Sequence, residues 1–272
     1  MSCGTFSGTA AALWRARRLR LAVCWGLILA ISGSDAVWLR GELALRRLPV
    51  TAFAGGDVLF RPLGADIALI SIWSVTILCV LVSTLAHVRG GQGSFDMALV
   101  ALSGSRARWW GAEVLVCTLT VAADCAALLF GALLWTFVLG GRVGLGSDCA
   151  TYSFWGGNPD APMSYPWTHI MGFFGVFLVG LVALSLVQLA LALAIGTVPA
   201  FIVSVAHLAT AWFLKYSSMP VARLLVSRSS IFVEGGLRPE TGAALFALVG
   251  LAAYLGGLAL ASRIDIGIGR RR

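Results

Sequence analysis

Long apolar runs separated by short polar or glycine-rich stretches fill this chain. The first that could cross a bilayer is LAVCWGLILAISGSDAVWL, Leu21 to Leu39. Two more follow, at about 65–87 and 111–139. From His169 to Leu214 the apolar character continues for too long to be one helix. Gly196, Thr197 and Pro199 break it, since Gly suits a helix end, Thr an N-cap and Pro a first turn. The stretch therefore divides into runs of about 169–195 and 198–214, and a last run covers about 241–261. A hydrocarbon core of about 30 Å needs roughly 20 helical residues per crossing. The pattern predicts an all-α polytopic membrane protein with six transmembrane helices, folded as one domain over 1–272.

Composition agrees with the pattern. Of 272 residues, 59% are hydrophobic and 12% charged, and the mean hydropathy is +0.90. Soluble domains carry about 25% charged residues. Net charge is +8, but the arginines stand beside apolar runs, as membrane flanks do. A nucleic-acid partner is not expected. Cys24, Cys79, Cys117 and Cys125 lie within apolar runs and read as small buried hydrophobes, while Cys3 and Cys149 fall on opposite sides. No metal-ligand spacing is present, so no metal site is expected.

The chain opens polar and turns basic in ALWRARRLR. Ala10 to Arg20 can form an interfacial helix, with Leu13 and Trp14 against lipid and Arg15, Arg17, Arg18 and Arg20 among headgroups, or serve as a positive flank that orients the first span; the two readings are compatible. Ser34 and Ala36 offer a small-residue cleavage site, but the long leading segment and later runs favour an uncleaved anchor. Basic clusters at both chain ends, nearly unopposed by acids, place both termini in the cytosol. The polar residues deep in the runs are Asp124, Gln188 and His207. Each is a candidate for a substrate path or for intramembrane polar contacts, since such groups are expensive in lipid.

SFDMALVALSGSRARWWGAE, 94 to 113, does not fit a plain connector. Ser94 can cap a short helix and Asp96 suits its first turn. Phe95 to Leu102 is nearly all apolar, yet two turns reach only about 12 Å. Ser103, Gly104 and Ser105 stop the segment. Arg106 and Arg108 then sit at headgroup level, and Trp109 and Trp110 mark the interface. Such a piece lies along the inner surface or plugs into a partner's groove.

This arrangement resembles the membrane subunits of type-2 ABC exporters, small six-span bacterial permeases. Their loop between spans two and three holds a coupling helix: an acidic residue, an apolar stretch, a Ser-Arg break and an aromatic pair. Here those features are Asp96, Met97 to Leu102, Ser105 with Arg106, and Trp109 with Trp110. The connector at 216–240, with its apolar PVARLLVSRSSIFVEGG, resembles their external helical hairpin, and SRIDIGIGRRR their basic tail. Glu113 departs from the family, which often places a basic residue there. The resemblance implies a non-catalytic permease subunit in the inner (cytoplasmic) cell membrane, paired with itself or a similar permease. It implies an ATP-binding partner reached through the coupling segment 94–106: Phe95, Asp96, Leu99, Leu102, Arg106 and Arg108. ATP and Mg would reside in that partner. This chain has no P-loop: its one lysine, Lys215, precedes Tyr216 with no glycine-rich turn before it. The alternative class is a self-contained secondary transporter or channel, which needs intramembrane acids as an ion relay, and Asp124 is the one deep acid it offers.

Overall fold

The computed structural model describes residues 4–60, 70–85, 103–148, 164–213, 220–231 and 235–263. Among them are seven α-helices: α1 (Gly4–Leu45), α2 (Gly55–Phe60), α3 (Ile70–Thr84), α4 (Arg106–Val138), α5 (Trp167–Ile195), α6 (Thr197–Phe213) and α7 (Pro239–Arg263). Three short 3-10 turns cover Val50–Ala52, Pro220–Leu224 and Val226–Arg228. One antiparallel pair of two-residue strands joins Ser147–Asp148 to Ser164–Tyr165.

Four helices are long and apolar enough to cross a membrane: α1, α4, α5 and α7. The described parts of α3 and α6 are shorter apolar helices. The expected break between the fourth and fifth runs is present. Gly196 ends α5 at φ 90°, and its amide donates to Ala192 O, before α6 starts at Thr197. Such a φ is open to glycine without the Cβ clash that other residues meet.

The N-terminal segment departs from expectation. No separate interfacial helix precedes the first run; α1 is continuous for 42 residues, about 63 Å at 1.5 Å per residue. No proline interrupts it before Pro49, and Arg47 takes up the turn beyond its end at φ 57°. Leu13 is consequently buried against α4 rather than facing lipid.

Helix directions follow from the contacts. Arg17 meets Glu113, Trp25 meets Asp124, and Leu29 O accepts from Trp135 Nε1, so α1 and α4 run parallel along their length. On the other side Gly242 faces Val176, Phe246 faces Gly180 and Gly250 faces Ala183, so α5 and α7 are also parallel. Arg106 reaches Ser262, which brings the end of α7 to the start of α4. At the opposite end Arg142 N donates to Phe53 O, and Gly56 packs against Ile170. The start of α4, the early part of α1 and the end of α7 thus share one end of the bundle.

Large apolar side chains remain on the outer faces, among them Leu27, Leu119, Phe130, Leu248 and Leu255. A protein surrounded by water would bury such an array; hydrocarbon is its matching solvent.

Candidate functional site

The end of the bundle at the start of α4 is built from local signals in the sequence. Gly104 adopts φ 71°, and Ser105 then caps α4, its hydroxyl accepting from Arg108 N at 3.2 Å. Phe95, Asp96, Leu99 and Leu102 lie outside the described residues. Arg106 and Arg108 lie within them and part company. Arg106 Nη1 donates to Ser262 O at 2.6 Å, helping to satisfy the carbonyl end of α7. Arg108 is exposed.

Trp109 and Trp110 do not face a membrane interface as expected: they are 3% and 0% exposed. The reason is the small stripe Ala253, Gly257 and Ala261 on α7, which leaves a trough for an indole. Trp110 lies over Gly257 and donates Nε1 to Tyr254 O at 3.0 Å. Trp109 packs in the same cluster as Leu13. The first turn of α4 is thereby fixed to both α1 and α7.

One helical turn further on, Arg17 of α1 donates to Glu113 of α4 at 2.5 Å, with the two side chains 1% and 2% exposed. Arg17 is therefore inside the protein and not among headgroups. The pair gives the acid in α4 its countercharge from α1. Arg20 Nη1 donates to Leu85 O at 2.8 Å, tying α1 to the end of α3.

Asp124 lies deeper on the same face of α4. It accepts from Trp25 Nε1 of α1 at 2.9 Å and from the Ser83 hydroxyl of α3, and so joins three helices. Hydrogen bonds contribute about 0.5–1.5 kcal/mol each, and about 1.5–3 kcal/mol where the acceptor is charged. Two of them offset the roughly 2.5–3.5 kcal/mol that an aspartate costs at the bilayer centre. Cys24 and Cys79 are both buried free thiols. Gln188 also bridges helices, giving Nε2 to Leu81 O at 2.9 Å. His207 is different: it lines a cavity between α3, α5, α6 and α7.

Of the sequence candidates, the structure gathers none into a single cluster. Asp124 and Gln188 sit at helix junctions, and His207 faces open space. Arg17, Trp25 and Ser83 were not foreseen as polar contacts. A signal for the first existed: Glu113, Cys117, Thr120 and Asp124 recur at helical spacing, which places them on one face of α4. A polar stripe inside an apolar helix asks for a polar partner. Among the described residues, no group of three or more His, Cys, Asp or Glu side chains is arranged to hold a metal ion.

The apolar helices and lipid-suited exterior define a helical, multi-pass membrane protein. Comparison with known proteins gives no matching family model, no matching curated protein and no matching solved structure.

Proposed function

We propose that this chain is the permease subunit of an ATP-driven exporter, moved by a separate ATP-binding protein that engages residues 94–106. In this reading α1, α3, α4, α5, α6 and α7 are six crossings of the inner cell membrane, with both termini and the 94–106 segment in the cytosol. Two permeases, identical or similar, would enclose the substrate path and alternate its access.

The observation that carries the reading is the anchoring of α4. The segment 94–105 leads directly into a helix start held by Ser105, by Trp110 on α7 and by Arg17 on α1. A push at that segment would move α4 together with its two neighbours instead of flexing a loop. A second support is the connector before α7. Val221, Ala222, Leu224, Leu225 and Val226 are all 0–1% exposed, and Trp73 donates Nε1 to Leu224 O at 3.3 Å. The connector's described residues form 3-10 turns where a short apolar helix was expected. Packed into the bundle, it lets α3 and α7 move as one body at the other end.

To test the proposal, the tagged full chain is purified from its native membrane with and without Leu99→Asp. An aspartate in the middle of an apolar docking segment should remove a copurifying P-loop protein and at least 90% of the eluate's ATP hydrolysis. Undiminished copurification would remove the coupling mechanism.

The self-contained carrier needs Asp124 to exchange protons or ions. If Asp124 is a junction, Asp124→Asn keeps an acceptor for Trp25 and should retain transport and stability, whereas Asp124→Ala leaves the indole N–H unpaired. That orphan is expected to cost about 1–3 kcal/mol, read as a lower denaturation midpoint. Loss of transport in a well-folded Asp124→Asn would favour the ion-driven class.

A further inference from the structure

Packing between the helices is not continuous. A cavity of ≈ 270 Å³ lies between α3, α5, α6 and α7, reaching Pro220. Leu81, Leu184, Leu208, Phe246 and Val249 give it walls of hydrocarbon. Its polar side chains are Ser204 and His207, one turn apart on α6. The Ser204 hydroxyl donates to Ala200 O at 3.0 Å, so only its lone pairs remain to offer. His207 O accepts from Thr210 at 2.7 Å, but the imidazole has no hydrogen-bond partner among the described residues. His207 is half-buried, and where that side of α6 meets lipid a polar group without a partner is costly.

Depth decides what can satisfy it. Ten residues separate Thr197, at the start of α6, from His207, about 15 Å of helix and half of a core about 30 Å thick. A bilayer phospholipid keeps its polar groups at the surface and brings only tail to that depth. A neutral imidazole presents one N–H donor and one nitrogen acceptor. A secondary amide presents the complementary carbonyl and N–H. We propose that the chamber binds a neutral lipophilic amide, with the amide on His207 and hydrocarbon against Leu184, Leu208 and Phe246. A space of ≈ 270 Å³ takes the amide and a short alkyl arm, with the rest of the chain left in lipid. Binding requires this chain alone, so the proposal stands apart from any ATP-binding partner.

The test uses the full chain in phospholipid nanodiscs and two photoprobes. One is N-butyl decanamide with a diazirine on the acyl chain; the other replaces the amide by two methylenes. The amide probe should label peptides of α5, α6 or α7 and half-saturate at a concentration about 10-fold lower than the hydrocarbon probe. His207→Phe should erase that 10-fold preference while leaving the hydrocarbon probe unchanged, and His207→Gln, which keeps a donor and an acceptor, should restore part of it. Val249→Trp should lower labelling by both probes by filling the space, and it serves if His207→Phe does not fold. Equal labelling of the unaltered protein by the two probes would mean that only lipid tails enter, and would overturn the proposal. So would adducts confined to other helices.

Discussion

Glu113→Gln is expected to destabilise the protein by about 3–5 kcal/mol. Removing one partner of a buried ion pair leaves the other charge uncompensated, and that penalty is of this size. Arg17 is 1% exposed and already has Nη1 without a partner, so it has no route to water if the carboxylate is lost. The same logic predicts recovery in pairs. Replacing both residues by apolar ones of similar volume, Arg17→Met with Glu113→Leu, should restore most of the lost stability, because no orphan charge remains. Unfolding midpoints in mild detergent would read both results. Equal damage from the single and the double variants would show that shape, and not charge pairing, holds α1 to α4 at this point.

The second large effect belongs to Gly257. A Cβ added there would fall 2.0 Å from Trp110 Cζ2 and 2.5 Å from its neighbouring ring carbon. The indole has no free direction to yield, since it is fully buried and its Nε1 is bonded to Tyr254 O. Gly257→Leu should therefore separate α7 from α4, costing about 1–3 kcal/mol or more, as overpacked cores do. Gly256 is the internal control: a Cβ there meets nothing within 4 Å, so Gly256→Leu should leave the midpoint within about 0.5 kcal/mol of the parent. A Gly257→Leu protein as stable as its Gly256→Leu counterpart would contradict the packing described.

How far the sequence foretold this arrangement depends on which signal is asked. One break was legible: Gly196 with Pro199 separates α5 from α6 through local backbone chemistry. Apolar runs were legible too, because they separate lipid-depth residues from water. Which side of each helix meets protein was not. In a bilayer both the lipid and the interior are apolar, so the amphipathic period that marks a buried face in soluble helices fades. Trp109 and Trp110 illustrate the loss: their type suits an interface, and only the trough on α7 explains why they turn inward. Arg17 shows a related gap, since a charge beside an apolar run reads as a headgroup contact until a buried partner 96 positions away is known. The junction at Asp124 needed three helices brought together, which no single run encodes.

The coupling claim is tested most directly by a photocrosslinking residue at position 99. With Leu99→p-benzoylphenylalanine in living cells, the account predicts one main adduct, formed on the cytosolic side with a polypeptide whose tryptic peptides include a P-loop. Adducts with lipid alone, or reaction of position 99 with a reagent confined to the outside of the cell, would contradict it.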